Sequence, residues 1–529
     1  MNEVNEIKNR LEELPKGTLI YKNINGKKQP YLQSTVNGKS VSYYIKLDGR
    51  EEILLQIEER EQLKKRLSRL SRYSEEIIKI LRDNPYLDKE ITIGSQDFYN
   101  IIDANKFYVD KTEFIYEWWN SHDPVTLITR PRRFGKTLML STVSHFFSIY
   151  DEGTDRFENL AVYNHPSMKL LRHAYPVINI SFADLKGDSF ADMTEQLRYV
   201  FAKAFDEHKH ILNDDRLTGF SYLINSYENN FNSLSKVGLI NVISDLSRAL
   251  EEYHGRKAII LLDEYDTPLQ DAYLNGFYDE MVDFMRRFFV VTFKTNSHYE
   301  RALITGITKI SKSSMFSDAN NIVSASLIDD RCATYFGFTE EEVRDTLTCL
   351  SSDEMATVKA FYDGFTIGSH RDIYNPWSII HYLKNGKTLC YWANTASSNL
   401  ISELVISSGE EVKREFAELL SGGSITKAID DNIAFEYLDS SSDALWMLLF
   451  NTGYLKADNV RVEDMMPVGE LSLTNRESRA VFEQMVKRWF DESRSNYNEF
   501  IRAMLAGDVN EINRAINEAI SLLRASRCL

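Results

Sequence analysis

The chain has 529 residues, too many for one ordinary core, so roughly two to four domains are expected. With 43% hydrophobic and 26% charged residues it is globular, and its net charge of −16 argues against a protein coated in nucleic acid while leaving room for a local basic surface. The opening "MNEVNEIKNR" has no apolar signal region and no later apolar run reaches the roughly 18 residues of a spanning helix, so no membrane partner and a cytoplasmic location are expected.

Cys332, Cys349, Cys390 and Cys528 form no close pairs, which excludes a zinc framework or a disulfide scaffold. Of the histidines only His208 and His210 are near neighbours, and two residues apart they face different sides of a helix. No metal site is expected beyond what a nucleotide brings.

In chain order, residues 1–49 read as a β-meander module: "TLIYKNI", "PYLQSTV" and "SVSYYIKL" are separated by Asn25-Gly26 and Asn37-Gly38, which accept the positive φ angles of type I′ turns. Residues 50–90 carry an amphipathic helix, roughly 50–82, ended by Asn84-Pro85. Residues 1–83 hold 17 Lys+Arg against 13 Asp+Glu, so the front differs in character from the acidic body. Tyr21, Tyr31, Tyr43 and Tyr44, interleaved with Lys22, Lys27, Lys28, Lys39 and Lys46, fit a face for nucleic acid. They equally fit tyrosines packed on the helix with lysines shielding the sheet edges. A coiled-coil pairing of the helix, giving a homo-oligomer, also stays open.

Residues 91–335 read as an α/β core in which "VTLIT" (125–129), "VINISF" (177–182), "AIILL" (258–262) and "RALIT" (301–305) are buried parallel strands. Long helices over 192–209 and 277–294 lie between them. Residues 336–460 are expected to be mostly helical, and 461–529 a C-terminal helical segment.

The chemistry centres on residues 125–147, "VTLITRPRRFGKTLMLSTVSHFF". A buried strand runs into a loop and a helix runs out, and the loop ends in Gly135-Lys136-Thr137, where backbone N–H groups and the helix dipole favour phosphate. Gly135 allows the closest backbone approach, Lys136 bridges β- and γ-phosphates and Thr137 holds Mg²⁺. The phosphate-loop pattern asks for glycine at position 130, and Arg130 stands there; at a strand-to-loop junction a side chain has room to point away. A second apolar strand ends in Asp263-Glu264, suited to holding Mg²⁺ and polarising the attacking water respectively. A third ends in Thr305, placed to reach the γ-phosphate or the water, or simply a strand-end threonine. Arg132 and Arg133 read either as solvated loop charges or as carrying a phosphate or transition-state role. The order of phosphate loop, extra strand, acid pair and polar strand is that of the additional-strand, catalytic-glutamate class of P-loop ATPases.

Together "FYVDKTEFI" (107–115), "LITRPRRFGKTLMLS" (127–141), "AIILLDEYDTPL" (258–269), "ITGITKIS" (304–311), "FGFTEEEV" (336–343), "YDGF" (362–365), "YNPWSII" (374–380) and "YWANTASSN" (391–399) resemble the bacterial AAA-ATPase-like proteins over roughly residues 90–490. In that family the "RPRRFGK" loop is usual. The resemblance implies ATP and Mg as ligands, an ATPase core over 91–335 and a helical lid over 336–460. It implies a pocket formed by Arg130, Pro131, Arg132, Arg133, Phe134, Gly135, Lys136, Thr137 and Leu138, with Asp110, Lys111 and Thr112 helping to shape it. The alternative for that triplet is a helix N-cap on "EFIYEWW".

Members of the family often carry a PD-(D/E)xK nuclease-like domain at the C-terminus. Only about 40 residues follow "VGELSLTNRESRAVFEQMVKRWF" (468–490), so no nuclease is expected within this chain, and whether "SLLRASRCL" marks a truncated or frameshifted product stays open. Asp184-Leu185-Lys186 and Glu411-Val412-Lys413 match the tripeptide by chance. The expected function is a Mg²⁺-dependent ATPase that couples nucleotide state to conformational change, in defence or mobile-element biology, with an arginine from the lid or a neighbouring subunit completing the site. The alternative is a nucleotide-sensing switch or scaffold with little turnover that binds a protein or DNA partner.

Overall fold

The computed structural model describes residues 2–484 except 37–38, 47–49, 84–88, 152, 154, 230, 233, 311–319, 348–349, 393–400, 402–403, 406–407, 431, 434 and 439–440, together with Arg514; some helix and strand residues, 70–83 among them, are described as backbone alone. The chain divides into two compact units, residues 1–88 and 89–529.

In the first unit, helix α1 (Asn2–Glu13) precedes an antiparallel meander of β1 (Thr18–Ile24), β2 (Lys27–Val36) and β3 (Lys39–Tyr44), and helix α2 (Arg50–Asp83) follows. Asn25 and Gly26 take φ of 52° and 74°, as a type I′ turn requires; the Asn37-Gly38 turn lies outside the described residues. The charged opening sequence concealed α1, which packs on α2. Ile7, Leu14 and Ile57 are buried, and Arg10 bonds Glu59 through Nε at 2.9 Å and Nη2 at 3.1 Å. The tyrosines divide between the two faces of the meander rather than forming one stacking platform, and Tyr44 accepts a hydrogen bond from Arg50 of α2 at 3.0 Å. Tyr21 and Tyr43 are exposed, and by strand register they share one face of the sheet while the exposed Tyr44 lies on the other.

In the second unit the first elements are α3 (Phe98–Ile102), α4 (Glu113–Asn120), β4 (Val125–Thr129), α5 (Lys136–Phe147) and α6 (Pro166–Lys169). After them come β5 (Val177–Ser181), α7 (Phe190–Asp206), α8 (Ser221–Glu228), α9 (Lys236–His254) and β6 (Ala258–Asp263). The core closes with α10 (Thr267–Asn275), α11 (Tyr278–Phe289), β7 (Tyr299–Gly306), β8 (Lys309–Ile310) and β9 (Ile322–Ala325). Five strands make one parallel sheet in the order β5-β6-β7-β4-β9. Every residue of β4 and β6 is buried, because helices cover both faces and leave no polar side to alternate with. The α/β architecture with a parallel sheet expected from the sequence is thus present. The C-terminal ends of β4, β6 and β7 stand side by side, where ligands bind in open parallel sheets.

The expectation of a mostly helical region after residue 336 needs correction. Helices α12 (Glu340–Thr346), α13 (Ser352–Tyr362) and α14 (Pro376–Asn385) alternate with β10 (Phe338–Thr339), β11 (Phe365–Ile367) and β12 (His370–Tyr374), which form an antiparallel sheet in the order β10-β12-β11. A second antiparallel sheet joins Ile425–Ala428, Met466–Leu473 and Leu455–Glu463, so residues 461–473 are strand and turn rather than helix. Its hairpin turns on Asp464 and Met465, with φ of 47° and 66°, where no Asn-Gly announced it. Residues 485–513 and 515–529 lie outside the description, and so does the question of a nuclease-like segment there. Glu411-Val412-Lys413 sits on the helix Glu410–Leu420. Among the described residues no helix is long and apolar enough to cross a membrane.

Arg130 fixes the end of β4. It is fully buried, and its Nη1 donates to the carbonyls of Thr129 (2.8 Å), Ala325 (3.0 Å) and Ser326 (2.9 Å) while Nη2 donates to those of Arg331 (3.2 Å) and Cys332 (3.3 Å). Burial lowers its pKa to about 10, still cationic at neutral pH. Replacing Arg130 by Met strands these carbonyls without donors and is expected to cost about 3 kcal/mol or more; a denaturation curve within about 1 kcal/mol of wild type would contradict this role.

Asp363, at the end of α13, is buried beside Asp372, and Lys359 lies 3.5 Å and 3.4 Å from their carboxylates. Burial and the hydrogen bond to Asp372 push the Asp363 carboxyl up to about 7. The folded chain therefore holds a proton that the unfolded chain, titrating near 4, has released; this contribution is complete below that value and lost as pH rises through about 7. Thermal melts at pH 5 and pH 8 are expected to show a loss of stability at the higher pH that Asp363→Asn reduces.

Candidate functional site

Asp263 at the end of β6, Ser181 at the end of β5 and the loop after β4 line a cavity of about 750 Å³, within the range of small-molecule sites. Gly135 caps α5 with φ 83°, a left-handed conformation in which a side chain is strained, and leaves the first turn of the helix free of any side chain capping it. Lys136 is buried and its ammonium turns back onto the loop, donating to the carbonyls of Arg130 at 2.8 Å and Pro131 at 2.9 Å. Burial lowers its pKa, with Glu264, Asp263 and Asp266 opposing the shift.

One residue along, Thr137 Oγ1 donates to Asp263 Oδ2 at 2.7 Å, bringing a hydroxyl and a carboxylate from two elements to one spot. Oxygen ligands of this kind suit Mg²⁺, which takes one or two protein ligands beside substrate phosphates. The other oxygen of Asp263 accepts a short hydrogen bond from the Thr305 hydroxyl. Thr305 is fully buried and is not among the residues lining the cavity. Its hydroxyl, expected to reach the γ-phosphate or the water, here donates to Asp263.

Glu264 lines the cavity next to Lys136 and has φ 52°, a left-handed backbone that costs a non-glycine residue roughly 1–2 kcal/mol. Such strain is retained where the surroundings fix it, and here they do. The Tyr265 N–H donates to the Thr305 carbonyl at 3.0 Å, the Thr267 N–H to the Glu264 carbonyl at 3.1 Å and Thr267 Oγ1 to Glu264 Oε2 at 3.3 Å. Burial raises the Glu264 pKa, Lys136 and Arg132 pulling against it.

Sequence reasoning assigned no role to the next two residues of "LLDEYD", although it quoted the motif. Buried Asp266 accepts from the N–H groups of Ile307 and Thr308 (3.2 and 2.9 Å) and from Thr308 Oγ1 (2.7 Å), and the Tyr265 hydroxyl donates to the Thr308 carbonyl at 2.8 Å. A Cβ on Gly306 would stand 2.6 Å from the Tyr265 ring and 2.8 Å from Asp266 Oδ1, so glycine is required there. The acidic strand end and the turn after β7 are thereby one unit.

The remaining expected residues divide. Arg132, Arg133, Phe134, Leu138 and Lys111 line the cavity; Arg130, Pro131 and Asp110 do not. Arg130 is held in its carbonyl cage. Asp110 is spent on Thr112, through its N–H at 2.8 Å and Oγ1 at 2.7 Å, and on the Ala161 N–H at 2.7 Å. Thr112 is the N-cap residue of α4 but makes no side-chain cap. Lys111 donates to the Thr334 carbonyl at 2.6 Å and to Glu342, the residue that closes the capping box of α12.

The outer side of the loop is gripped by the segment after residue 336. Asn375, buried and capping α14 through Oδ1, donates from Nδ2 to the Arg132 carbonyl at 3.2 Å. The Arg133 guanidinium stacks 4.4 Å from the Trp377 ring, and Phe134 meets Phe365 edge to face at 4.8 Å. The motifs "YDGF" and "YNPWSII" are where the sequence signalled these contacts.

An uncharacterized protein in the vnfD 5′ region of Azotobacter chroococcum mcd 1 is 27% identical to this chain over 414 residues, spanning 77% of this chain and 72% of that protein. Residues 92–316, from the cavity's first lining residue through the strand of Thr305, match the model of the AAA-ATPase-like family, described as a predicted AAA-ATPase. Over residues 92–316 the chain is thus similar to the AAA-ATPase-like family.

Proposed function

We propose that the chain binds and hydrolyses ATP and uses the nucleotide state of the β4–α5 loop to reposition the segment after residue 336 as a lid. The observation that carries this reading is the convergence of Lys136, the Thr137–Asp263 pair and the strained Glu264 on one cavity. The strand of Thr305 between the loop strand and the acidic strand supports the additional-strand, catalytic-glutamate arrangement.

Lys136 leaves the loop carbonyls for the β- and γ-phosphates, exchanging neutral acceptors for charged ones. Thr137 and Asp263 would hold Mg²⁺, which when bound neutralises charge on the same phosphates. Glu264 accepts a proton from water as the water oxygen bonds to the γ-phosphorus. The bond from that phosphorus to the β–γ bridging oxygen breaks, its electron pair leaves on ADP, and the proton passes from Glu264 to solvent. The burial that raises the pKa of Glu264 makes it a stronger base than an exposed carboxylate.

A switch that binds nucleotide without turnover would use Lys136 and Thr137 equally; Glu264, held at a backbone cost, favours hydrolysis. Lys136→Ala is expected to lose nucleotide binding, whereas Glu264→Gln keeps it and loses at least about 100-fold in phosphate release. Equal turnover by Glu264→Gln and wild type would overturn the hydrolytic reading. The base works deprotonated, so turnover should fall on acidification through a pKa above the ordinary carboxylate range; a rate–pH profile flat down to about pH 4 would contradict that assignment.

A further inference from the structure

Resting on the ATPase reading and deepening it, we propose that Arg132 is the catalytic arginine of this site, supplied by the same chain and directed at the γ-phosphate, in place of one from the lid or a neighbouring subunit. The loop holds three arginines, and two are occupied. Arg130 is buried among carbonyls on the far side of the loop, and Arg133 is stacked on Trp377. Arg132 lines the cavity with Lys136, Thr137, Asp263 and Glu264, and its side chain has no hydrogen bond or ion pair among the described residues.

Its backbone is nevertheless fixed, because Asn375 bonds its carbonyl. The guanidinium therefore projects from an anchored position. Its charge is felt by both chemical groups of the site, disfavouring the Lys136 ammonium and favouring the Glu264 carboxylate. Among the described residues this cation forms no ion pair, so its donors are open to a ligand anion. As water attacks, negative charge moves toward the β–γ bridging oxygen, and a planar guanidinium with several N–H donors is the side chain best shaped to meet it.

The test uses the full chain and compares wild type with Arg132→Ala, measuring steady-state phosphate release and the Kd of a fluorescent ATP analogue separately. Arg132→Ala is expected to lower kcat on the order of 10³-fold while Kd changes less than about 10-fold. Turnover per chain should not vary with protein concentration. Mixing Arg132→Ala with Lys136→Ala chains should restore nothing, since each active site must supply its own arginine. Unchanged kcat in Arg132→Ala, a loss of binding that matches the loss of turnover, or recovery of activity on mixing would each overturn the proposal while leaving ATP hydrolysis standing. Absence of turnover in the wild type would instead overturn the ATPase reading, and the inference with it.

Discussion

The loop between β4 and α5 is held from both sides, and the rest of the site depends on that. On the inner side the buried Arg130 cation bonds carbonyls of the β9 edge strand and of the turn beyond it and lies over the Phe336 ring, so the end of β4 is tied to the sheet by a buried charge. On the outer side Asn375, Trp377 and Phe365 engage three consecutive loop residues, Arg132, Arg133 and Phe134. Between these grips the backbone that faces the cavity has little freedom of its own, and Lys136 folds onto it. A ligand that draws Lys136 away from the Arg130 and Pro131 carbonyls acts on a segment whose outer contacts all belong to the region after residue 336. Coupling of this kind needs no long relay.

The acidic side is built on a similar principle. Asp263 is shared between Thr137 of α5 and Thr305 of β7, and Asp266 pins the turn after Thr305. Three elements therefore meet at one strand end, and Glu264, between the two aspartates, is left in a conformation it would not choose alone. Burial raises the pKa of its carboxyl, and Lys136 and Arg132 oppose that shift.

What the sequence made legible was local. Apolar runs located four of the five sheet strands, missing β9, and Gly135-Lys136-Thr137 and Asp263-Glu264 marked the ends of two, because each pattern is complete within a few residues. Side-chain direction was not legible where it depends on distant partners. Arg130 stands where its motif asks for glycine, and room for its side chain to point away was legible, but not its acceptors, which include the Ala325 carbonyl, 195 residues away. Thr305 was identified at the right strand end, but only the register of β7 beside β6 turns its hydroxyl onto Asp263. The hairpin around Asp464 and Met465 was hidden for a different reason: its turn uses residues that carry no glycine signal.

The central claim, that nucleotide at the loop repositions the segment after residue 336, is tested most directly by hydrogen–deuterium exchange of the Glu264→Gln chain with and without Mg²⁺ and ATP. The account predicts altered exchange both in residues 125–147 and in residues 365–385, since Asn375, Trp377 and Phe365 bear on the loop. Changes confined to the loop, α5 and the acidic strand, with residues 365–385 exchanging identically in both states, would contradict it.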